Sequence, residues 1–177
     1  MGIFDKIQFG TNDEKAFETF VIDKLPESVS EMQNMPLASL DTPFKAAALS
    51  VCALCAYAAA PDIGKEMLNF LKGPQPLSVY EQQFLKDRFA DKKYVPFSYF
   101  EGACPANEYT PNKPYKITVE TNPYSYDQEG YCKLYLKSGG ADNARSIVLR
   151  RKGDKWFLWE QFLLADIRKP NSEDPWA

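Results

Sequence analysis

The chain has 177 residues, a formal net charge of −3 and a hydrophobic fraction of 45%, with a sequence pI near 5.1. That length supports one full domain or two small lobes sharing a core, and an acidic balance disfavours a nucleic-acid binder, which needs a basic surface to neutralise phosphate. No stretch reaches the roughly 18 uninterrupted apolar residues of a membrane-spanning helix, so neither nucleic acid nor membrane is an expected partner.

The opening segment, 1–10, has acidic and polar residues where a signal peptide is apolar. Lys6 stands where a myristoylation signal needs Ser or Thr. The expected location is cytoplasmic, with the four cysteines as reduced thiols.

Residues 1–93 read as helical. Thr11 and Glu14 suggest a capping box, followed by Phe17, Phe20, Val21 and Leu25 at helical spacing up to Pro26. An irregular connection, 26–40, holds Met32, Met35 and Leu37. Thr42 as N-cap and Pro43 at the first helical position open a second helix. Its run 44–60 is apolar nearly all round, which predicts burial on several faces. Asp62 is the expected cap of a third helix, which Gly73-Pro74 stops. Ser78 and Glu81 form a second capping box, opening a helix to about Asp91 whose expected inner face is Tyr80, Phe84 and Leu85.

The character changes at 94–114, where four prolines lie among Tyr, Phe, Gly and Asn. A structureless stretch of that length is often functional. Strand-like runs follow at 115–121, 131–137, 145–152 and 155–163, separated by turn residues. The last two read as a hairpin about Gly153-Asp154, with glycine where a type II′ turn needs it. A two-residue loop pairs Lys152 with Lys155, Arg151 with Trp156, Arg150 with Phe157, Leu149 with Leu158 and Val148 with Trp159. Each face then gains a cation–aromatic pair near the turn. The expected fold class is α+β: an N-terminal four-helix layer on a small C-terminal antiparallel meander of three to four strands, within a single domain 1–177. That domain comprises the helical 1–93, the aromatic and proline-rich connection 94–114, and the sheet with an extended tail, 115–177.

Chemistry is sparsely signposted. Histidine is absent, which removes the commonest acid–base group near neutral pH. Cys52 and Cys55 match a redox spacing but lie inside an apolar helix, away from the N-terminal dipole that would activate a thiol; core packing is the better reading. Cys104 and Cys132 are isolated, so a four-cysteine zinc site is not expected. Ser138-Gly139-Gly140 joins strands rather than opening a helix, which argues for a turn over a phosphate site. Glu101 with Glu108, or Asp127 with Glu129, read as solvated turn charges. No catalytic residue, metal ligand or cofactor is therefore expected.

The aromatic segment 94–102 either lines a groove or straps the helices to the sheet, the strap being the stronger reading. The candidate binding surface joins Tyr94, Tyr99, Phe100 and Glu101 to the sheet margin at Arg150, Arg151 and Trp156, since Arg and Trp are enriched at binding hot spots. The tail Asp174-Pro175-Trp176 docks on its own body or on a partner, self-docking being favoured.

Several stretches together resemble an uncharacterised bacterial family, a domain of unknown function. They are Leu40-Asp41-Thr42-Pro43-Phe44-Lys45, Met67-Leu68-Asn69-Phe70-Leu71-Lys72-Gly73-Pro74, 94–102, 122–140, 152–163, Asp166-Ile167-Arg168-Lys169-Pro170 and Glu173-Asp174-Pro175-Trp176. The resemblance runs almost end to end and implies a free-standing, single-domain cytosolic bacterial protein. It brings no activity, cofactor or catalytic residue. The expected function is that of a non-enzymatic binding or interaction protein with a protein or peptide partner. The alternative is a small-ligand receptor or enzyme with a cleft between helices and sheet, using Glu101, Tyr99 or Tyr126. The sequence specifies no oligomeric state.

Overall fold

The computed structural model describes residues 16–177; the capping box expected at Thr11 and Glu14 lies outside them. In chain order come β1 (Phe17–Ile22), α1 (Val29–Gln33), α2 (Pro43–Ala59), α3 (Pro61–Lys72), α4 (Val79–Arg88), β2 (Tyr115–Glu120), β3 (Tyr131–Leu136), β4 (Arg145–Lys152) and β5 (Lys155–Gln161). Short 3-10 turns sit at Pro36–Ser39, Val95–Tyr99, Pro105–Asn107 and Asn171–Glu173. Among the described residues no helix is long and apolar enough to cross a membrane. Helices and an antiparallel sheet are both present, as expected. Two details differ: the sheet has five strands, in the order β1-β2-β3-β4-β5, and its first strand precedes the helices.

The expected first helix is β1. Phe20 and Ile22 are buried while Phe17 and Val21 are each 57% exposed, so burial alternates with a period of two. The helix-like spacing of Phe17, Phe20 and Val21 is coincidental. β1 pairs along its whole length with β2, from Phe17↔Glu120 to Ile22↔Tyr115. That remote partner overrides the local periodicity. The connection after it contains α1, capped by Ser28, whose Oγ accepts from Glu31 N at 3.1 Å.

α2 is the central helix. Thr42 Oγ1 accepts from Lys45 N at 3.2 Å, with Pro43 in the first turn, as the sequence requires. Fourteen of its 17 residues are buried, because α3 covers one side and β2 to β5 the other. α3 follows after Ala60 alone. Pro61 starts it, and Ala60 occupies the cap position without a side-chain bond. Asp62, the expected cap, sits inside the first turn, where its charge complements the helix dipole. The corner is tight: a Cβ on Gly64 would lie 2.3 Å from the Tyr57 Cα. Gly64→Ala should therefore lower stability by about 1–3 kcal/mol through overpacking. A urea denaturation midpoint equal to wild type would show that the corner can relax.

α4 has the capping box expected of it, with Ser78 and Glu81 bonded reciprocally. Its packing differs from the expectation. Leu85 is its one buried residue, Phe84 is half-buried, and Tyr80 is 78% exposed rather than turned inward. The helix touches the body along a narrow line and stands off it elsewhere.

In the sheet, β2 and β3 are paired only at Glu120↔Tyr135, and the segment 94–102 wedges in where they part. Glu101 N donates to Lys116 O at 2.9 Å, and Gly139 N donates to Ser98 O at 2.8 Å. The β4–β5 hairpin has Gly153 at φ +65°. Its pairs run as expected from Lys152↔Lys155 to Leu149↔Leu158. Beyond them a β-bulge between Val148 and Leu149 pairs Val148 with Glu160 instead of Trp159. The bulge leaves Trp159 as the extra residue, which re-aims its side chain.

Candidate functional site: a groove between α3, α4 and the edge strand β5

Because α4 stands off the body, a groove of about 580 Å³ opens between α3, α4 and β5. Leu54 and Leu68 lie at its floor, with Leu77, Tyr80, Phe84, Trp159 and Phe162 among its walls. Phe162 is 48% exposed. Arg88 stands over the Phe84 ring at 5.1 Å. Across the groove Lys72 is buried at 6% exposure. Its Nζ donates to Glu81 Oε2 at 2.8 Å and to Trp159 O at 3.1 Å, tying α3, α4 and the bulge together. Burial raises the Glu81 carboxyl, but hydrogen bonds from Lys72 and Ser78 outweigh this and hold it below the usual carboxylate range.

The groove continues into a niche of about 280 Å³ under the hairpin, lined by Lys72, Gln75, Arg150, Arg151, Phe157 and Trp159, among others. Arg150 lies 4.6 Å from the Trp159 ring and 5.2 Å from the Tyr131 ring. Arg151 lies 5.9 Å from the Trp156 ring. Arg150, Arg151 and Lys152 are exposed, and among the described residues none of them belongs to an ion pair. An aromatic wall thus ends in a cationic margin without carboxylate partners.

The residues selected from sequence fall in two places. Arg150, Arg151 and Trp156 belong to the margin. The predicted cross-strand pairs Arg151↔Trp156 and Arg150↔Phe157 are both present, but the Arg150 guanidinium lies over the Trp159 and Tyr131 rings rather than over Phe157. Tyr99 and Phe100 are core residues at 4% and 2% exposure, so their side chains present no surface. The Tyr99 hydroxyl donates to Leu163 O, and burial pushes it well above the ordinary tyrosine value. Phe100 meets Tyr115 edge-on at 5.4 Å. Tyr94 stacks on Tyr109 at 5.2 Å. Glu101 is exposed beside a separate hollow with Lys116, Glu120 and Lys137. Leu163 lies seven residues along from Trp156, roughly 20 Å at strand rise, and on the far side from the hairpin turn. The two halves of the expected surface are therefore apart, and 94–102 has the geometry of the strap. A cleft between helices and sheet is present, but Glu101, Tyr99 and Tyr126 do not line it.

The sequence reading missed Lys72, Tyr80, Phe84, Arg88, Trp159 and Phe162 as groove residues. No local pattern marked them: Val79 and Tyr80 are both exposed at the start of α4, at 83% and 78%.

Elsewhere the reactive groups are quiet. Cys52 and Cys55 are buried, and burial pushes the Cys52 thiol up to about 12 and Cys55 well above its ordinary value. Among the described residues no group of three or more His, Cys, Asp or Glu could hold a metal ion.

A mixed fold with a curled five-stranded antiparallel sheet and a groove at its β5 edge defines the molecule's class. The chain belongs to the family described as a domain of unknown function, DUF6935, whose model matches residues 24–171. Neither the curated proteins nor the solved structures yield a match.

Proposed function

We propose that the protein is a non-enzymatic, cytosolic interaction protein that takes a peptide segment of a protein partner in the α3–α4–β5 groove. The carrying observation is the junction of an apolar aromatic groove with the exposed cations Arg150, Arg151 and Lys152, which among the described residues belong to no ion pair. Such a site suits a segment whose large apolar side chain enters the groove while acidic neighbours lie along the margin. Aromatic side chains supply large contact area at low ordering cost, and Arg150 and Arg151 already lie over aromatic rings. The cytosolic setting is supported by four free cysteines.

The groove's volume also suits a small apolar ligand, which is the second reading. Peptide-display selection separates them. Wild type should enrich sequences with an aromatic or large aliphatic residue flanked by Asp or Glu. Phe162→Glu and Arg150→Glu, both at exposed positions, should lose that enrichment. Equal enrichment by wild type and both variants would sink the peptide reading, and saturable binding of small apolar probes without any peptide preference would favour the alternative.

A further inference from the structure

The tail of this chain has the chemistry that the groove asks for. Trp176 is 93% exposed, so it does not dock on its own body as the sequence reading favoured. Instead the tail is tied down as far as Ser172. Arg168 N donates to Gly140 O at 2.9 Å, and the Tyr109 hydroxyl donates to Arg168 O at 2.5 Å. Ser172 N donates to a Glu108 carboxylate oxygen at 3.2 Å, and the Ser172 hydroxyl donates to the other. Past that anchor a local turn, in which Asp174 Oδ1 accepts from Trp176 N at 2.9 Å, presents the indole to solvent. Asp174 is extended at φ −108° and ψ 109°, as a residue before proline must be. The projecting unit Glu173-Asp174-Pro175-Trp176 is thus two acids, a stiffening proline and a large aromatic anchor.

We propose that this unit of one copy docks in the α3–α4–β5 groove of a second copy, Trp176 entering between Tyr80, Phe84 and Phe162 while Glu173 and Asp174 meet Arg150, Arg151 and Lys152. The inference rests on the groove reading above and names its occupant. Charge complementarity is direct, since among the described residues the margin's cations have no carboxylate partner and Glu173 is exposed. Docking in trans is the arrangement that keeps the anchor: with Ser172 held on the 105–108 turn, no residue of 166–177 lines the groove of its own copy. Each copy offers one tail and one groove, so reciprocal exchange closes a two-fold pair.

Sedimentation equilibrium of the full chain over a wide concentration range tests this. Wild type should show reversible monomer–dimer behaviour that weakens as salt is raised. Trp176→Ala, at a position too exposed to affect folding, should weaken association roughly thirtyfold per tail, and so approaching a thousandfold for the pair, as loss of a hot-spot side chain from each copy does. Phe162→Glu should do the same from the groove side. Mixing Trp176→Ala with Phe162→Glu should restore a heterodimer, because one intact tail then meets one intact groove. A wild type that stays monomeric throughout, or a Trp176→Ala variant that associates equally well, overturns the proposal. If in that event the groove still selects acidic–aromatic peptides, only the choice of occupant has failed; if it selects none, the groove reading has failed as well.

Discussion

Phe100→Ala should lower the unfolding free energy by about 3–5 kcal/mol, the range for emptying a buried phenylalanine site. Phe100 is 2% exposed, and its ring meets Tyr115 at 5.4 Å, where the strap enters between β2 and β3. For a chain of this size that loss corresponds to about 2–4 °C of melting temperature per kcal/mol. Tyr99→Phe should cost less, about 1–2 kcal/mol, by leaving the Leu163 carbonyl without its donor. Thermal and urea unfolding of the two variants measure both effects. Phe100→Ala with an unchanged midpoint would mean that the strap is not part of the core. The same pair guards against a misreading of binding data: a partner lost in Phe100→Ala reflects a damaged sheet, whereas Arg150→Glu alters the margin without touching the core.

Most local signals in the chain specify the structure that forms, the exception being Asp62, which enters the first turn of α3 and leaves the cap position to Ala60. The Thr42–Pro43 and Ser78–Glu81 caps, and the Gly73 and Gly153 stops, depend on a few adjacent residues, and all four stand where expected. The hairpin register could be counted outward from its turn only as far as Leu149↔Leu158, because a bulge adds a residue without a sequence mark. β1 was not legible: residues 17–22 become a strand only through β2, nearly a hundred positions away. The site divides along the same line. Arg151 and Trp156 are cross-strand neighbours, and their pairing follows from the turn. The groove is set by how far α4 stands from β5, a distance no local pattern encodes. Tyr99 and Phe100 looked like surface because aromatics in a proline-rich connection resemble a binding loop, yet the gap between β2 and β3 draws them in.

Glu81 is where removing one side chain should most disturb the groove. Glu81→Ala should cost about 2–4 kcal/mol, combining the lost capping box with a buried ammonium left short of its partner. The Glu81 side chain is 36% exposed, so solvent partly screens the pair and its loss costs less than that of a fully buried one. Glu81→Gln can keep the Ser78 N bond and so isolates the charge, at about 1–3 kcal/mol. Lys72→Met should cost about 1–3 kcal/mol, since the apolar replacement fills the buried site and the abandoned carboxylate can hydrate, but the Trp159 carbonyl loses its donor. The pH dependence has a definite sign. Glu81 is held below its ordinary value of 4.5 in the folded chain, so the unfolded chain binds more protons over the interval between the two values. The pair's contribution is complete above the unfolded value and is lost as pH falls through the folded one. Urea midpoints of wild type and Glu81→Gln should therefore differ fully at neutral pH and converge under acid. A gap that persists unchanged below the folded value would assign the effect to shape rather than charge. Because Lys72 also holds the carbonyl of Trp159, Glu81→Gln should loosen the groove wall, and its peptide selection should weaken even under conditions where the chain remains fully folded.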